Sequence, residues 1–333
     1  HKGRGTPYSF KKRLYVPGAR TKFHFSPAGT YLITMENGRF GSPQPRVTLW
    51  NTRTWHRTWR HRLFIDSVEQ VMMNPQENRV VATGWESVFW EPQSLRIGTW
   101  ELPKGRRIGV ARLPVSVDDA VTHPTSLLHV GARRVLYAAP QGTLHRLDLR
   151  TLKHAHTPPR QLPARGEFAR GGAGGALVVA VTPNYHDGSG TRHYLLSVYD
   201  AKSALVTRSF KVGALLRWGI SGGGELVWVL RESQGGGAAD LEVYELVTGR
   251  SVRVVPRFLP LPVSSARYAL SAGGDTFALA HSRLGLRLTS LGSGETVTLD
   301  EPLDPEKLGA VRFSPRNQLA VRWGRWIRIY AGD

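Results

Sequence analysis

The chain has 333 residues, 41% of them hydrophobic, no cysteine, and 45 Lys or Arg against 25 Asp or Glu, a formal net charge of +20. That much apolar material builds a large core and rules out disorder of the whole. The missing cysteines exclude disulfides, thiolate zinc centres, iron–sulfur clusters and a cysteine nucleophile. No run approaches the roughly 18 apolar residues of a membrane-spanning helix.

The chain opens on His1, so a mature form or a piece of a longer protein is expected, cytoplasmic in the first instance, with a secreted mature form as the alternative. Residues 1–20 are a basic segment that includes a predicted strand at 8–16. After it a repeat runs to the end. Val47-Thr48-Leu49-Trp50-Asn51, Ile97-Gly98-Thr99-Trp100-Glu101, Leu144-His145-Arg146-Leu147-Asp148, Ser197-Val198-Tyr199-Asp200, Leu241-Glu242-Val243-Tyr244-Glu245, Leu286-Arg287-Leu288-Thr289 and Trp326-Ile327-Arg328-Ile329-Tyr330 are copies of one alternating strand. Their penultimate positions are 50, 100, 148, 199, 244, 289 and 330.

Upstream of these strands stand turn markers: Ser26-Pro27-Ala28-Gly29, Asn74-Pro75-Gln76-Glu77, the glycine-rich 170–175, Ser221-Gly222-Gly223-Gly224, Ser271-Ala272-Gly273-Gly274 and Ser314-Pro315-Arg316-Asn317. Pro presets φ, the leading Ser or Asn caps the turn, and Gly or Asn accepts positive φ. Short turns such as 51–54, 247–250 and 292–295 close a second hairpin in each unit. No stretch holds a helical period for more than two turns.

The unit is therefore strand, tight turn, strand, loop, strand, short turn, strand. Stacked four-stranded antiparallel units are propeller blades. Blades are expected at about 21–64, 65–113, 119–158, 164–212, 213–258, 263–300 and 308–333, the last completed by 8–16. The fold class is thus all-β: one seven-bladed β-propeller domain over 1–333, closed by an N-terminal strand that removes a free edge.

The Ser-Pro-x-Gly turn, the hydrophobic strand and the strand ending Leu-Trp-Asn resemble the WD-repeat family over residues 21–333, and most closely its divergent bacterial propellers. The Trp-Asp ending survives only as Trp50-Asn51, Trp100-Glu101, Tyr199-Asp200 and Tyr244-Glu245, and the Gly-His pair is missing. The resemblance implies a propeller that holds partners, with no shared active site.

Chemical motifs are sparse. Ser189 lies between glycines but lacks the strand-to-helix setting of a nucleophile elbow. His186, Asp187 and His193 share one stretch and His154 and His156 sit at strand spacing, yet no third ligand is placed; His145, His154 and His156 read as exposed strand decoration. The glycine runs at 171–175, 222–224 and 235–237 precede no helix and read as hairpin turns, not phosphate loops. No catalytic residue, metal or cofactor is expected.

Charge is the more informative signal. Residues 1–70 hold thirteen Lys or Arg against three acids, which is half the net charge in about a fifth of the chain. Lys11, Lys12 and Arg13 lie on the closing strand, and Arg53, Trp55, Arg57, Trp59, Arg60 and Arg62 on the outer strand of the first blade. Alternation places Trp55, Arg57 and Trp59 on one face. Trp50, Trp100 and Trp326 are expected to pack between blades. Two readings stay open for Trp55 and Trp59: aromatic platforms between arginine forks, or packing on the next blade behind a charge-protected edge. The functional expectation is a non-enzymatic protein–protein interaction scaffold, a subunit of an assembly or a domain of a larger protein, with a basic sector for an acidic partner. The alternative is nucleic-acid or polyanion binding through the same sector; a propeller enzyme ranks last.

Overall fold

The computed structural model describes residues 8–17, 21–36, 45–62, 68–88, 91–113, 126–131, 134–138, 144–151, 153, 167–171, 177–184, 193–201, 203, 205–260, 266–300 and 308–332. Among them every regular element is a strand. The closing strand β1 (Tyr8–Tyr15) precedes the first blade, β2 (Lys22–Phe25), β3 (Tyr31–Glu36), β4 (Arg46–Asn51) and β5 (Arg57–Arg62). The second blade is β6 (Gln70–Met73), β7 (Arg79–Val88), β8 (Glu91–Glu101) and β9 (Arg106–Arg112). Described strands of the third are β10 (Ser126–Val130), β11 (Arg134–Ala138) and β12 (Leu144–Asp148); the expected continuation to 158 lies largely outside the described residues.

The fourth blade is β13 (Glu167–Gly171), β14 (Leu177–Asn184), β15 (His193–Asp200) and β16 (Val206–Val212), and the fifth β17 (Leu215–Ile220), β18 (Leu226–Glu232), β19 (Ala238–Glu245) and β20 (Ser251–Pro260). The sixth is β21 (Arg267–Leu270), β22 (Thr276–His281), β23 (Gly285–Ser290) and β24 (Thr296–Asp300). The seventh comprises β25 (Leu308–Phe313), β26 (Leu319–Trp323) and β27 (Trp326–Gly332), with β1 as its fourth strand. β1 runs antiparallel to β27, Leu14 opposite Ile327 and Tyr15 opposite Trp326, which is the closure expected from the sequence.

Apolar runs, not strict alternation, mark the middle strands because both faces of each sheet are covered. On β7, Val80 and Ala82 join Ile33, Leu49 and Trp59 of the first blade. Val81, one residue out of phase, joins Leu127, Val135 and Tyr137 of the third. A period of two sends neighbours to opposite faces, and each fully buried side chain of this size contributes about 1.5–3 kcal/mol. Two compact units result: one holds β1 and β17–β27, the other β2–β16, apart from His193 and Val212 at strand ends.

The turn markers fold alike. Ser26 Oγ accepts the Tyr31 N–H at 2.9 Å, Asn74 Oδ1 that of Arg79 at 2.9 Å, Ser271 Oγ that of Thr276 at 2.9 Å and Ser314 Oγ that of Gln318 at 2.9 Å. Three residues after each leading Ser or Asn the backbone is left-handed: Gly29, Glu77, Gly224, Gly274 and Asn317. Glu77 and Asn317 stand where glycine would be easier, and both do a second job. The Ala28 N–H donates to Glu77 Oε1, and the Ala272 N–H to Asn317 Oδ1, each at 2.8 Å, tying one blade's turn to the turn before it. Asn317→Ala puts a residue less tolerant of the left-handed region at φ 57° and removes that bond. It is expected to cost about 1–2 kcal/mol, read as a lowered urea midpoint.

At the Trp-Asp position, the residue ending the third strand caps the next turn. Asn51 Oδ1 accepts the Arg53 and Thr54 N–H groups, and Asp148 Oδ1 those of Arg150 and Thr151. The Thr151 and Arg150 amides hold the Asp148 carboxyl below its ordinary range.

Candidate functional site

Outer strands carry the charge. Six are described, β1, β5, β9, β16, β20 and β24, and between them they hold thirteen Lys or Arg and a single acid, Asp300. Each of these edges belongs to one unit or the other.

On β5, Arg57 and Arg62 are exposed, as is Arg53 in the preceding turn. Arg60 Nη2 lies 3.2 Å from Glu36 Oε2, whose side chain is only 9% exposed. Its charge therefore balances a buried acid. The two tryptophans do not form the face expected from alternation. Trp55 precedes the strand in a left-handed turn (φ 55°), its N–H donating to Asn51 O at 2.7 Å. Trp59 is 9% exposed and packs with the first and second blades. Its indole lies over the Gly105 turn of the second blade, where a methyl group would overlap it, and stacks on His61 at 5.4 Å. A bulge contributes: Trp59 pairs with Leu49 but Arg57 with Trp50, leaving Thr58 extra. Of the two readings held open for Trp59, packing on the next blade is the one observed. Trp100 is also buried as expected.

A cationic–aromatic surface lies on β1 and β27. Lys11, Lys12 and Arg13 are exposed, with Lys11 at a bulge between Phe10 and Lys12. The Arg13 guanidinium stands over the Trp326 ring at 5.7 Å, and Tyr15 packs on the same ring at 5.0 Å. Phe10, Tyr15 and Trp326 are 52%, 48% and 38% exposed. Trp326 is therefore not buried between blades as expected: it begins β27 after the Gly324-Arg325 turn, paired with Tyr15 of the closing strand on one side and Trp323 of β26 on the other. In the sequence this surface is carried by the run Phe10-Lys11-Lys12-Arg13-Leu14-Tyr15, whose charges are flanked by aromatics.

A buried polar cluster on the fifth blade was not anticipated. Asp240, Glu242 and Tyr244 share one face of β19, and Arg231 of β18 reaches both acids, at 3.5 Å and 2.7 Å. The Ser233 hydroxyl donates to Asp240 and the Tyr244 hydroxyl to Glu242. Asp240 also accepts the N–H of Arg257, whose left-handed backbone follows Pro256 in an irregular stretch of β20. The Ser233 hydroxyl holds the Asp240 carboxyl below its ordinary value; burial opposes this, and the Arg257 N–H and the Arg231 and Arg257 charges add to it. A depressed carboxyl contributes stability that is present above the unfolded value near ~4 and lost as pH falls through the folded one. Asp240→Asn is therefore expected to cost about 1–3 kcal/mol near neutrality. Paired urea titrations should show that cost shrinking in acid.

His145, expected to decorate a strand face, is half-buried and stacks on Tyr137 at 5.1 Å. His193 begins β15, half-buried; His154, His156, His186, Asp187 and Ser189 lie outside the described residues. Among the described residues no three His, Asp or Glu side chains are grouped to hold a metal ion. Nor is any helix there long and apolar enough to cross a membrane.

No family model and no curated protein matches the sequence. Among solved structures the chain is similar to the β-propeller domain of Cps50 (Swd1) from Myceliophteria thermophila. The TM-score is 0.62 at 15% identity, over 98% of this chain and 100% of that one. At this identity the likeness is one of fold: the protein is a seven-bladed β-propeller.

Proposed function

We propose that the protein is a non-enzymatic protein-interaction scaffold whose basic outer edges engage an acidic partner, as a subunit of an assembly or a domain of a larger protein. The thirteen-to-one excess of cations on the described outer strands supports this reading. Protecting an edge from strand addition needs only an occasional charge. Arg13 with Tyr15 and Trp326 supplies residue types that dominate binding energy at protein interfaces. A field of this sign speeds encounter with an acidic surface and weakens with salt.

Nucleic acid is the second reading, favoured by exposed Phe10, Tyr15 and Trp326 beside Lys11, Lys12 and Arg13, since bases stack on such rings. A mixed pool of single-stranded RNA and DNA at moderate salt separates the two. The scaffold reading expects weak binding that disappears as salt rises; saturable binding that persists would move the assignment to nucleic acid.

A further inference from the structure

The first strands of the fifth, sixth and seventh blades, β17, β21 and β25, lie at the end of their sheets opposite the charged outer edges. In a propeller that end faces the axis. Each carries one exposed arginine among buried or half-buried neighbours: Arg217, Arg267 and Arg312. All three adopt one local arrangement, the guanidinium donating to the carbonyl of the preceding residue: Leu216 at 3.2 Å, Ala266 at 3.2 Å and Val311 at 3.1 Å. Among the described residues none of the three has an ion-pair partner.

The three strands are packed together within one unit. The Gly222 N–H, just past β17, donates to Leu270 O of β21 at 2.9 Å, and a β-carbon on Gly222 would stand 2.6 Å from Ser314 O, just past β25. Tyr268 lies within the field of both Arg217 and Arg267. Arg312 is reached by solvent, yet surrounding protein pulls its guanidinium below the usual value, as for a cation in a recess. Three like charges on adjacent inner strands repel one another.

We propose that Arg217, Arg267 and Arg312 form a binding site for a linear polyphosphate anion on the axial edge of these three blades. Guanidinium forks match phosphate oxygens. Arg217 and Arg267 stand four residues before their turn serines, Ser221 and Ser271, and Arg312 two before Ser314. At about 3.3 Å per residue that offset separates two tiers by about 7 Å, longer than one phosphate and suited to a chain of them. This site is separate from the outer edges and does not depend on their role.

Calorimetric titration of the whole protein with inorganic tripolyphosphate, orthophosphate and ATP tests it. Tripolyphosphate is expected to bind saturably and more tightly than orthophosphate. Arg217→Gln, Arg267→Gln and Arg312→Gln should each weaken it by roughly tenfold without lowering the melting temperature, while Arg57→Glu/Arg62→Glu leaves it intact. Equal affinity for ATP would assign the site to the phosphate chain alone, and tighter ATP to a nucleotide; both support it. No binding at low salt, wild-type affinity in the three Gln variants, or loss only in the outer-edge variant would overturn it.

Discussion

Removing residues 1–17 is expected to abolish the stable monomer. β1 is the fourth strand of the seventh blade, and its loss strips the backbone ladder from one edge of β27. Tyr8, Leu14 and Val16 are buried at 6%, 3% and 0% exposure, and Tyr8 packs edge-on against Phe313 at 5.9 Å. At about 1.5–3 kcal/mol for each side chain, the loss approaches the whole stability of an ordinary domain, about 5–15 kcal/mol. The uncovered edge is also a template for pairing with other chains. Size-exclusion chromatography should show aggregation, and a peptide of residues 1–17 added in trans should partly restore the monomer. A truncated chain that stays monomeric and melts with the intact protein would show that β1 does not complete the blade.

Trp59→Ala is the second large effect, and it is expected on stability, not on binding. The ring sits among Ile33, Val47, Leu49, Val71, Val80 and Trp100 across two blades. Truncating such a side chain costs about 3–5 kcal/mol. Trp55→Gly, at a left-handed position outside the strand, should be close to neutral. A second readout follows from His61, stacked on Trp59. Burial, with a smaller push from Arg107, lowers its pKa. A histidine shifted this way contributes stability that is present above its unfolded value near ~6.5 and lost as pH falls toward the folded one. Opening the site should return the His61 titration, followed by NMR, toward the ordinary value. An unchanged midpoint and an unchanged His61 would place Trp59 on the surface after all.

The repeat was legible because its signals are local. Ser26, Asn74, Ser221, Ser271 and Ser314 each bond within their own turn, and the third strands fall where alternation puts them. What escaped depends on the neighbouring blade. Trp59 is covered by a turn some 45 residues further on, around Gly105, and nothing near Trp59 announces that cover. The same holds for Glu77 and Asn317, which read as imperfect turn residues until their bonds to Ala28 and Ala272 are seen. The bulges opposite Trp50, Trp100 and Tyr244 add one residue to β5, β9 and β20 and change their phase. Trp326 fails the other way. It keeps the repeat spacing but falls at the closing strand, whose Tyr15 covers only part of the ring.

These placements sort the basic residues by role. Arg60 balances Glu36 and Trp59 holds two blades together, whereas Lys11, Lys12, Arg13, Arg53, Arg57 and Arg62 are the exposed set. The decisive measurement is capture of partners from native extract, side by side, by the unmutated protein, Lys12→Glu/Arg13→Glu and Arg57→Glu/Arg62→Glu, leaving Arg60 in place. The interaction reading expects at least one reversal to lose an acidic partner held by the unmutated protein, with melting temperatures unchanged. Recovery of the same partners, in the same amounts, by all three proteins would contradict a role for the basic edges.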